Sequence, residues 1–333
     1  MIDRKNTENE TYYIIGKEYL SEGLFAIYIW ICAQIIYAKQ KGYIPVVDLK
    51  HYVNQLFKDN REFRDNVWEY FFEQPDNISL EDIPENAHII IGGNKIPEIK
   101  HLWPGELPVS KHNQTDAKIA DEYIKYFRLN TEMKEFLTRK YQEITNGNTN
   151  ILGILCRGTD YFNTRPLNHP IQPTVKEVMQ KAEELFKKYH YDKIWLATED
   201  ADIYETFKNK FGDKLLPNNQ YKFSNTKNHL LYEISTEQKN HKFNLNKDYM
   251  LSMYILSKCK YFIGGKTSGT VAVYLFSNKF ENQEYVYLWD KGCYQTRGKQ
   301  FISEIFSIKN EYKNNIKYKV FTLLGIKLKL KHR

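Results

Sequence analysis

Short apolar runs and one longer apolar segment alternate along the first hundred residues and predict strands separated by a helix. Residues 11–16, 44–48 and 88–93 are β-rich runs of strand length, whereas residues 24–41 have helical length and are followed by Gly42 as a helix stop. A strand–helix–strand order with short buried strands is typical of a parallel sheet. The pattern therefore predicts the fold class α/β.

The same order begins again after residues 146–150, a polar turn cluster that marks the predicted domain boundary. Buried strands are predicted at residues 151–156, 193–198, 214–216 and 260–264. Helices are predicted at residues 174–189, 201–211, 247–259 and 270–277. Thr174 and Glu177 have the spacing of a capping box at the start of the first of these helices. We predict a second doubly wound domain, with domain ranges 1–148 and 149–308 and a tail, 309–333.

The composition is that of a globular protein and indicates a reducing compartment. The 333 residues are 42% hydrophobic and 27% charged, and the four cysteines lie far apart without a Cys-x-x-Cys pair. This spacing indicates neither a zinc cluster nor a disulfide framework. Residues 24–38 are the most apolar stretch, but they fall short of the roughly 20 residues that cross a bilayer, and residues 1–10 lack the apolar core of a signal peptide. We therefore predict a cytoplasmic protein in which this stretch is a buried helix.

The net charge of +7 lies in the tail, because residues 309–333 hold eight lysines and arginines against the single acid Glu311. The rest of the chain is balanced, which argues against a nucleic-acid-binding protein. Apolar and cationic residues alternate along residues 317–331. This alternation has two interpretations, which are peripheral contact of residues 312–333 with an anionic membrane and a solvated edge strand protected by lysines.

Three predicted strands of the second half end in polar residues that suit an anion. The strand ends carry, in chain order, Arg157-Gly158-Thr159-Asp160, Thr198-Glu199-Asp200 and Lys266-Thr267-Ser268. The carboxyl ends of parallel strands lie at one edge of the sheet, where ligands bind. An arginine beside a glycine suits a phosphate, and a Gly/Ser/Thr loop that opens a helix adds N–H donors and a favourable dipole. We predict that these loops line one anion-binding cleft.

Each of these residues also has a purely structural interpretation. Arg157 and Asp160 could be an ion pair that closes a loop, and residues 264–269 could be a structural glycine-rich turn. Asp200 could cap the helix that follows it. Asp248 could be an ordinary acid in the first turn of helix 247–259.

In this order and spacing, the motifs resemble a fucosyltransferase superfamily that includes the bacterial nodulation and eukaryotic core α-1,6-fucosyltransferases and the protein O-fucosyltransferases. The group carries H-x-R-x-[GTS]-D, then a strand like LATDD, then a block that runs from an aspartate to a Ser/Thr-Ser pair. The equivalents here are Leu155 to Asp160, Leu196 to Asp200, and Asp248 through Leu256 and Cys259 to Thr267-Ser268. His169-Pro170-Ile171 also matches an HPI triplet of the core enzyme. The resemblance covers about residues 150–275.

The resemblance implies a GT-B-like architecture of two Rossmann-like domains with a cleft between them, the N-terminal one on the acceptor side. It implies a glycosyltransferase that uses a nucleotide-diphosphate sugar, GDP-fucose first, with inversion and with no required metal or other cofactor. By position, Arg157 would grip the β-phosphate and stabilise the departing nucleotide. Thr267 and Ser268 would bind the diphosphate, and Asp200 and Asp248 would contact ribose or base.

The other candidates follow from the same loops and from the acids of the N-terminal half. Further donor-side candidates are Gly158, Thr159, His169, Glu199 and Lys266. Asp160 is the second candidate catalytic residue beside Arg157. Acceptor-side candidates are Glu22, Gly23, Glu69 and Glu73. The partners implied are a nucleotide-sugar donor and a glycan acceptor, in bacterial surface polysaccharide synthesis on the inner face of the plasma membrane.

Three positions depart from the group's pattern. Leu155 replaces the motif histidine, Gly158 replaces a second arginine, and Arg165 stands where the core enzyme has its proposed base. Arg165 instead offers a second contact to phosphate. The general base is therefore open among Asp160, His169, Glu22 and the acids at 69 and 73. There are two alternative functions. The first is a transferase of the same fold that uses a UDP- or dTDP-sugar, and the second is a non-catalytic protein that binds a sugar nucleotide or a glycan.

Overall fold

The computed structural model describes residues 10–16, 22–52, 56, 65–92, 101–112, 117–158, 165, 167–224, 239–295, 306–313, 316–323 and 326–331. The strands are β1 (Thr11–Ile15), β2 (Ile44–Val47), β3 (His88–Ile91), β4 (Ile151–Leu155), β5 (Lys193–Ala197), β6 (Tyr261–Gly265), β7 (Tyr285–Trp289), β8 (Phe306–Lys313), β9 (Ile316–Leu323) and β10 (Ile326–Lys331). The α-helices are α1 (Leu24–Gln40), α2 (Ala117–Lys125), α3 (Thr131–Thr145), α4 (Val175–Tyr189), α5 (Ala201–Phe211), α6 (His241–Lys258) and α7 (Ser268–Phe276).

The N-terminal half is built on a parallel sheet in the order β2-β1-β3. Ile15 lies opposite Val47, and Ile14 lies opposite Ile91, so the three carboxyl ends are aligned. Helix α1 connects β1 to β2 and is buried along almost its whole length, as predicted for residues 24–38. Gly42 follows the end of α1 and has a φ of 76°, a conformation that glycine adopts without strain. None of the described helices is long and apolar enough to span a membrane.

The C-terminal half is built on a second parallel sheet in the order β5-β4-β6-β7. Leu155 at the end of β4 lies opposite Ala197 on one side and Gly264 on the other. The chain passes from β4 outward to β5 and then returns to the other side of β4 as β6. The strand order therefore reverses between β4 and β6, and such a switch point leaves a crevice at the carboxyl ends of the strands. The two parallel sheets confirm the predicted α/β class.

The tail forms an antiparallel sheet in the order β10-β9-β8, which begins at Phe306. Ile326 pairs with Leu323, and Leu328 and Leu330 follow on the same face by strand alternation. These four apolar side chains are between 59% and 70% exposed. Lys329 belongs to the opposite face, where its ammonium lies 4.8 Å from the centre of the Tyr318 ring. The alternation of apolar and cationic residues in the tail thus gives a sheet with an exposed apolar face and an opposite face that carries Lys329.

Three predicted elements differ from the structure, and one strand was not predicted. Residues 214–216 form only a single bridge, Leu215 with Ile194, after a 3-10 turn. The helix predicted at 247–259 begins at His241, and the helix predicted at 270–277 begins at Ser268. Strand β7 was not predicted, although it completes the second sheet.

Helix α6 packs against both halves of the protein. The ring of Phe243 lies 5.5 Å from Tyr70 and 5.6 Å from Phe71 of the N-terminal half, measured between ring centres. Tyr249, farther along α6, lies 5.2 Å from Phe25 at the start of α1. A second link is the segment 101–112, because the Leu288 amide of β7 donates to the carbonyl oxygen of Val109 at 2.9 Å. The halves therefore share one apolar core.

Candidate active site

The carboxyl edges of the two parallel sheets face each other across Tyr249. Its ring lies 5.2 Å from Phe25 in the first turn of α1, which follows the carboxyl end of β1. Its hydroxyl oxygen lies so close to Gly269, in the first turn of α7, that a Cβ atom there would lie 2.4 Å from it. One side chain thus spans from the first helix after β1 to the first helix after β6. The β4–β6 switch point and the carboxyl edge of the N-terminal sheet therefore lie on the two sides of Tyr249, and we call the region between these two edges the cleft.

Two helix N-termini point into this cleft. Gly23 is the N-cap of α1, and the amide of Leu24 donates to Oδ1 of Asn246 on α6 at 3.3 Å. Thr267 is the N-cap of α7, where its hydroxyl accepts from the Thr270 amide at 3.2 Å. Within the described residues, neither first turn holds an acid. Each terminus carries roughly half a positive charge, so the cleft favours an anionic group.

Arg157 stands at the carboxyl end of β4 and is oriented by Glu199. Its Nε lies 3.4 Å from Oε1 of Glu199, and both side chains are 16% exposed. The same carboxylate oxygen accepts from the Gly158 amide at 2.8 Å. Glu199 therefore forms an ion pair with the guanidinium and a hydrogen bond with the backbone that follows it. Glu199 thus has a structural role beside Arg157, and its donor contact stays a prediction.

Asp200 is the N-cap of α5, which was the structural alternative for this residue. Its Oδ1 accepts from the Ile203 amide at 3.0 Å, and the residue is buried. Gly158 lies directly against it, because a Cβ atom at Gly158 would lie 2.5 Å from the Cβ of Asp200. The glycine at 158 is thus required by packing against Asp200.

The β6 loop contains a buried lysine and a buried threonine. The ammonium of Lys266 is buried, and it donates to the carbonyl oxygen of Gly105 and to Oδ2 of Asp290, each at 3.0 Å. Lys266 therefore connects the segment 101–112 to the end of β7, and its donor contact stays a prediction. The side chain of Gln172 packs directly against Gly265, because a Cβ atom at this position would lie 1.9 Å from Oε1 of Gln172. Thr267 is buried as a cap, whereas Ser268 beside it is half-buried.

Asp248 lies in the middle of α6 and not in a first turn, so the structural alternative for this residue is wrong. Burial raises the pKa of Asp248 to about 6, against the opposing pull of Lys247 and Lys222. Burial also lowers the pKa of Lys222 to about 8. The Asp248 carbonyl accepts from Nε2 of Gln220 at 2.7 Å, which ties α6 to the segment after β5.

The remaining donor-side candidates follow β4. The amide of Tyr294 donates to the carbonyl oxygen of His169 at 2.9 Å, and the amide of Asn168 donates to the Tyr294 carbonyl at 2.9 Å. This pairing holds the segment 167–171 along the chain that leaves β7. Arg165 is exposed and has a φ of 44°. Thr159 and Asp160 lie outside the described residues.

The acceptor-side candidates separate into three groups. Glu22 is exposed beside Gly23 at the N-terminus of α1. Glu69 accepts from Nε2 of Gln74 at 2.8 Å, and the same Nε2 donates to the Val47 carbonyl at the end of β2, so Glu69 lies at the carboxyl edge. Glu73 has a structural role, because its carboxylate pairs with Lys134 at 3.1 Å and Arg128 at 3.6 Å.

A histidine–aspartate pair at the same edge was not predicted. Asp48 follows β2 and is buried, and its Oδ2 lies 2.8 Å from Nδ1 of His51. The signal available in the sequence was the spacing Asp48-Leu-Lys-His51 directly after a predicted strand. Such a spacing is common in turns, which is why it carries little information by itself.

No protein-family model matches the sequence, and no curated protein matches it significantly. In fold, the chain is similar to fucosyltransferase NodZ from Bradyrhizobium, with 14% identity over 78% of this chain and 92% of NodZ and a TM-score of 0.46. It is similar to POFUT1 in complex with GDP, with 8% identity over 82% of this chain and 96% of POFUT1 and a TM-score of 0.47. It is also similar to FUT1 of Arabidopsis thaliana in complex with GDP, with 12% identity over 80% of this chain and 68% of that one and a TM-score of 0.40. NodZ is an α-1,6-fucosyltransferase, one of the groups whose motifs the sequence resembles, and the likeness is one of fold.

Proposed function

We propose that the protein is a glycosyltransferase that binds a nucleotide-diphosphate sugar in the cleft between the two sheets. The observation that carries this proposal is the position of Arg157, at the end of β4 beside the switch point and in a cleft that two helix N-termini enter. A planar guanidinium and helix N-termini are suited to phosphate oxygens. Together they supply positive potential where a diphosphate leaves.

In this mechanism, the bond between the anomeric carbon and the β-phosphate oxygen breaks while an acceptor hydroxyl attacks from the opposite face, which inverts the configuration. Arg157 stabilises the charge that develops on the departing diphosphate. Glu199 keeps the guanidinium in place through Nε and through the Gly158 amide. We propose that these groups serve without a metal ion.

The donor proposed first is GDP-fucose, because the ordered motifs from Arg157 to Ser268 resemble those of the fucosyltransferase group. The acceptor proposed is a glycan in bacterial surface polysaccharide synthesis, on the cytoplasmic side of the membrane. The N-terminal half would receive the acceptor, because its carboxyl edge faces the donor cleft.

A thermal-shift panel of GDP, UDP, dTDP, CDP and ADP in buffer with EDTA tests the donor. We expect GDP to stabilise the protein, by about 2.7 kcal/mol at a concentration a hundredfold above its dissociation constant. Stabilisation by UDP or dTDP alone would assign the donor to another sugar nucleotide. Stabilisation by none of the five would contradict the proposed cleft, and GDP binding without turnover of GDP-fucose would indicate a non-catalytic binding protein.

We also propose that the tail sheet contacts the surface of an anionic membrane through Leu323, Ile326, Leu328 and Leu330. These side chains are exposed on one face, and Lys329 stands on the other face. A surface that is apolar on one face and cationic on the other lies in the interfacial plane, with the cations at headgroup level. Each basic residue near an anionic surface contributes about 1 kcal/mol.

The double substitution Leu328→Gln and Leu330→Gln is expected to weaken binding to vesicles of phosphatidylcholine mixed with phosphatidylglycerol. Since each buried methylene contributes about 0.8 kcal/mol, the loss should exceed about tenfold. Vesicle sedimentation measures it, and the matched control is Ile89→Gln with Ile91→Gln, two exposed isoleucines of β3. Equal partitioning of the tail variant and the wild type would rule the contact out.

A further inference from the structure

The loop after β2 holds a histidine in a fixed orientation at the carboxyl edge of the N-terminal sheet. Oδ1 of Asp48 accepts from the amides of Lys50 at 2.9 Å and His51 at 3.1 Å, so the carboxylate fixes the turn. Oδ2 lies 2.8 Å from Nδ1 of His51. The imidazole itself is 64% exposed, whereas the side chain of Asp48 is 8% exposed. A buried carboxylate thus orients an exposed ring.

A short series of contacts connects this loop to the end of β1 and to α6. The ring of Tyr52 covers the end of β1, because a Cβ atom at Gly16 would lie 2.0 Å from it. On the other side, the Leu49 amide donates to Oδ1 of Asn66 at 3.1 Å. Asn66 caps the short 3-10 helix Val67–Tyr70, and Tyr70 packs against Phe243 of α6. Through Asn66 and Tyr70 the loop is therefore connected to the part of the N-terminal half that packs against α6.

The Asp48 contact determines which ring nitrogen of His51 can take a proton. An ionised carboxylate only accepts hydrogen bonds, so Nδ1 carries the hydrogen. In the neutral ring, Nε2 then carries the lone pair. The carboxylate also stabilises the imidazolium that forms when Nε2 is protonated, as in hydrolases that pair a histidine with an aspartate. The ring is thus prepared to accept a proton at Nε2.

We propose that His51 is the general base of the transfer reaction and that Asp48 positions it; the inference rests on the proposed function. The acceptor oxygen forms a bond to the anomeric carbon, and the bond from that carbon to the β-phosphate oxygen breaks. The nucleoside diphosphate leaves with the electron pair of the broken bond. The proton of the acceptor hydroxyl passes to Nε2 of His51, and the resulting positive charge is balanced by Asp48.

The other acceptor-side groups are less suited to this role. Glu73 is held by two cations, and Glu69 already accepts from the side-chain amide of Gln74. Imidazole takes up and releases a proton near neutral pH, which carboxylates in water do not. His51 combines a lone pair at Nε2, an orienting carboxylate and an exposed ring at the carboxyl edge of the N-terminal sheet.

The proposal can be tested with two small acceptors, water and azide, so the natural glycan need not be known. The two acceptors differ in whether a proton must be removed during the attack. Water must lose a proton when it attacks GDP-fucose, whereas azide attacks as an anion and needs no base. We expect His51→Ala to lower hydrolysis of GDP-fucose by about 10²-fold or more and to leave formation of the fucosyl azide unchanged. Added imidazole should restore part of the hydrolysis. Asp48→Asn should give a smaller loss of hydrolysis.

The matched control is His88→Ala, because His88 is also exposed and contacts a side chain, Thr11, but at the amino edge of the same sheet. A wild-type rate of hydrolysis in His51→Ala would overturn the proposal. Equal losses of rate with water and with azide would also overturn it, because they would show a role in donor binding or folding. Both outcomes presuppose a wild type that GDP stabilises and that turns over GDP-fucose. A wild type that does neither overturns the proposed function, and the base with it.

Discussion

Replacement of Arg157 by alanine is expected to lower the rate of sugar transfer by about 10²- to 10³-fold, the usual effect of removing one preorganised donor to developing negative charge. Arg157 is the only arginine at the end of a described parallel strand, and its Nε faces the carboxylate of Glu199 there. The free energy of unfolding should change little, because Glu199 keeps its contact with the Gly158 amide at 2.8 Å. Steady-state turnover of GDP-fucose and urea denaturation measure the two quantities.

Two further variants make this result specific. Arg157→Lys keeps the charge but loses the planar fork, so it should recover only part of the rate. Arg139→Ala removes an arginine that pairs with Glu143 on the surface of α3, and it should leave turnover unchanged. Near-wild-type turnover in Arg157→Ala would show that the arginine closes a loop and does not act on phosphate.

Substitution of Gly158 by valine is expected to reduce both stability and turnover. A Cβ atom at this position would lie 2.5 Å from the Cβ of Asp200 and 2.6 Å from its Oδ2. Asp200 cannot easily move, because its side chain caps α5 and its backbone forms a bridge with Phe223. Overpacking of this kind costs about 1–3 kcal/mol. A displacement of the adjacent Arg157 by about 1 Å would lower turnover by about 10²-fold.

Gly105→Ala is the matched control, since the nearest atom to a Cβ there is Cδ1 of Trp103 at an ordinary 3.8 Å. The midpoint of urea unfolding and the turnover of GDP-fucose should both stay at wild-type values in this control. A Gly158→Val protein with wild-type midpoint and turnover would show that Asp200 moves aside and that the glycine is not required.

The elements with local signals were predicted well. Helix α4 begins at Val175 with Thr174 as N-cap and Glu177 completing the capping box, as the spacing predicted. Strands β4 and β5 are short apolar runs buried on both faces, so their residue pattern alone identifies them. Local hydrogen bonding and burial decide these elements, and both leave a pattern in the sequence.

The start of α6 could not be predicted, because its first turns have partners on more than one side. Phe243 packs against the N-terminal half while Lys247 lies 4.0 Å above the ring of Phe136. A helix in such surroundings has no single apolar stripe at helical spacing. Strand β7 does have a local signal, the aromatic and apolar run Tyr285–Trp289, so its position was available from the sequence.

The residues at the strand ends could be identified from the sequence, but the partners of several of them could not. The motifs identified the strand ends that carry Arg157 and Thr267. The partners of Glu199 and Lys266 were missed, because each contacts a residue more than twenty positions away. Sequence spacing shows which residues reach the sheet edge, whereas the partner that each one binds is set by long-range packing.

Helix α6 also determines how such a protein could be recombined. In chain order it belongs with the second half, but its first turns form part of the surface on which Tyr70 and Phe71 pack. A chimera joined at the turn 146–150 would present a foreign α6 to these rings, whereas a crossover within α6 keeps each set of contacts native. The unit that can be exchanged to alter donor preference is therefore set by packing, and it does not coincide with a continuous stretch of chain.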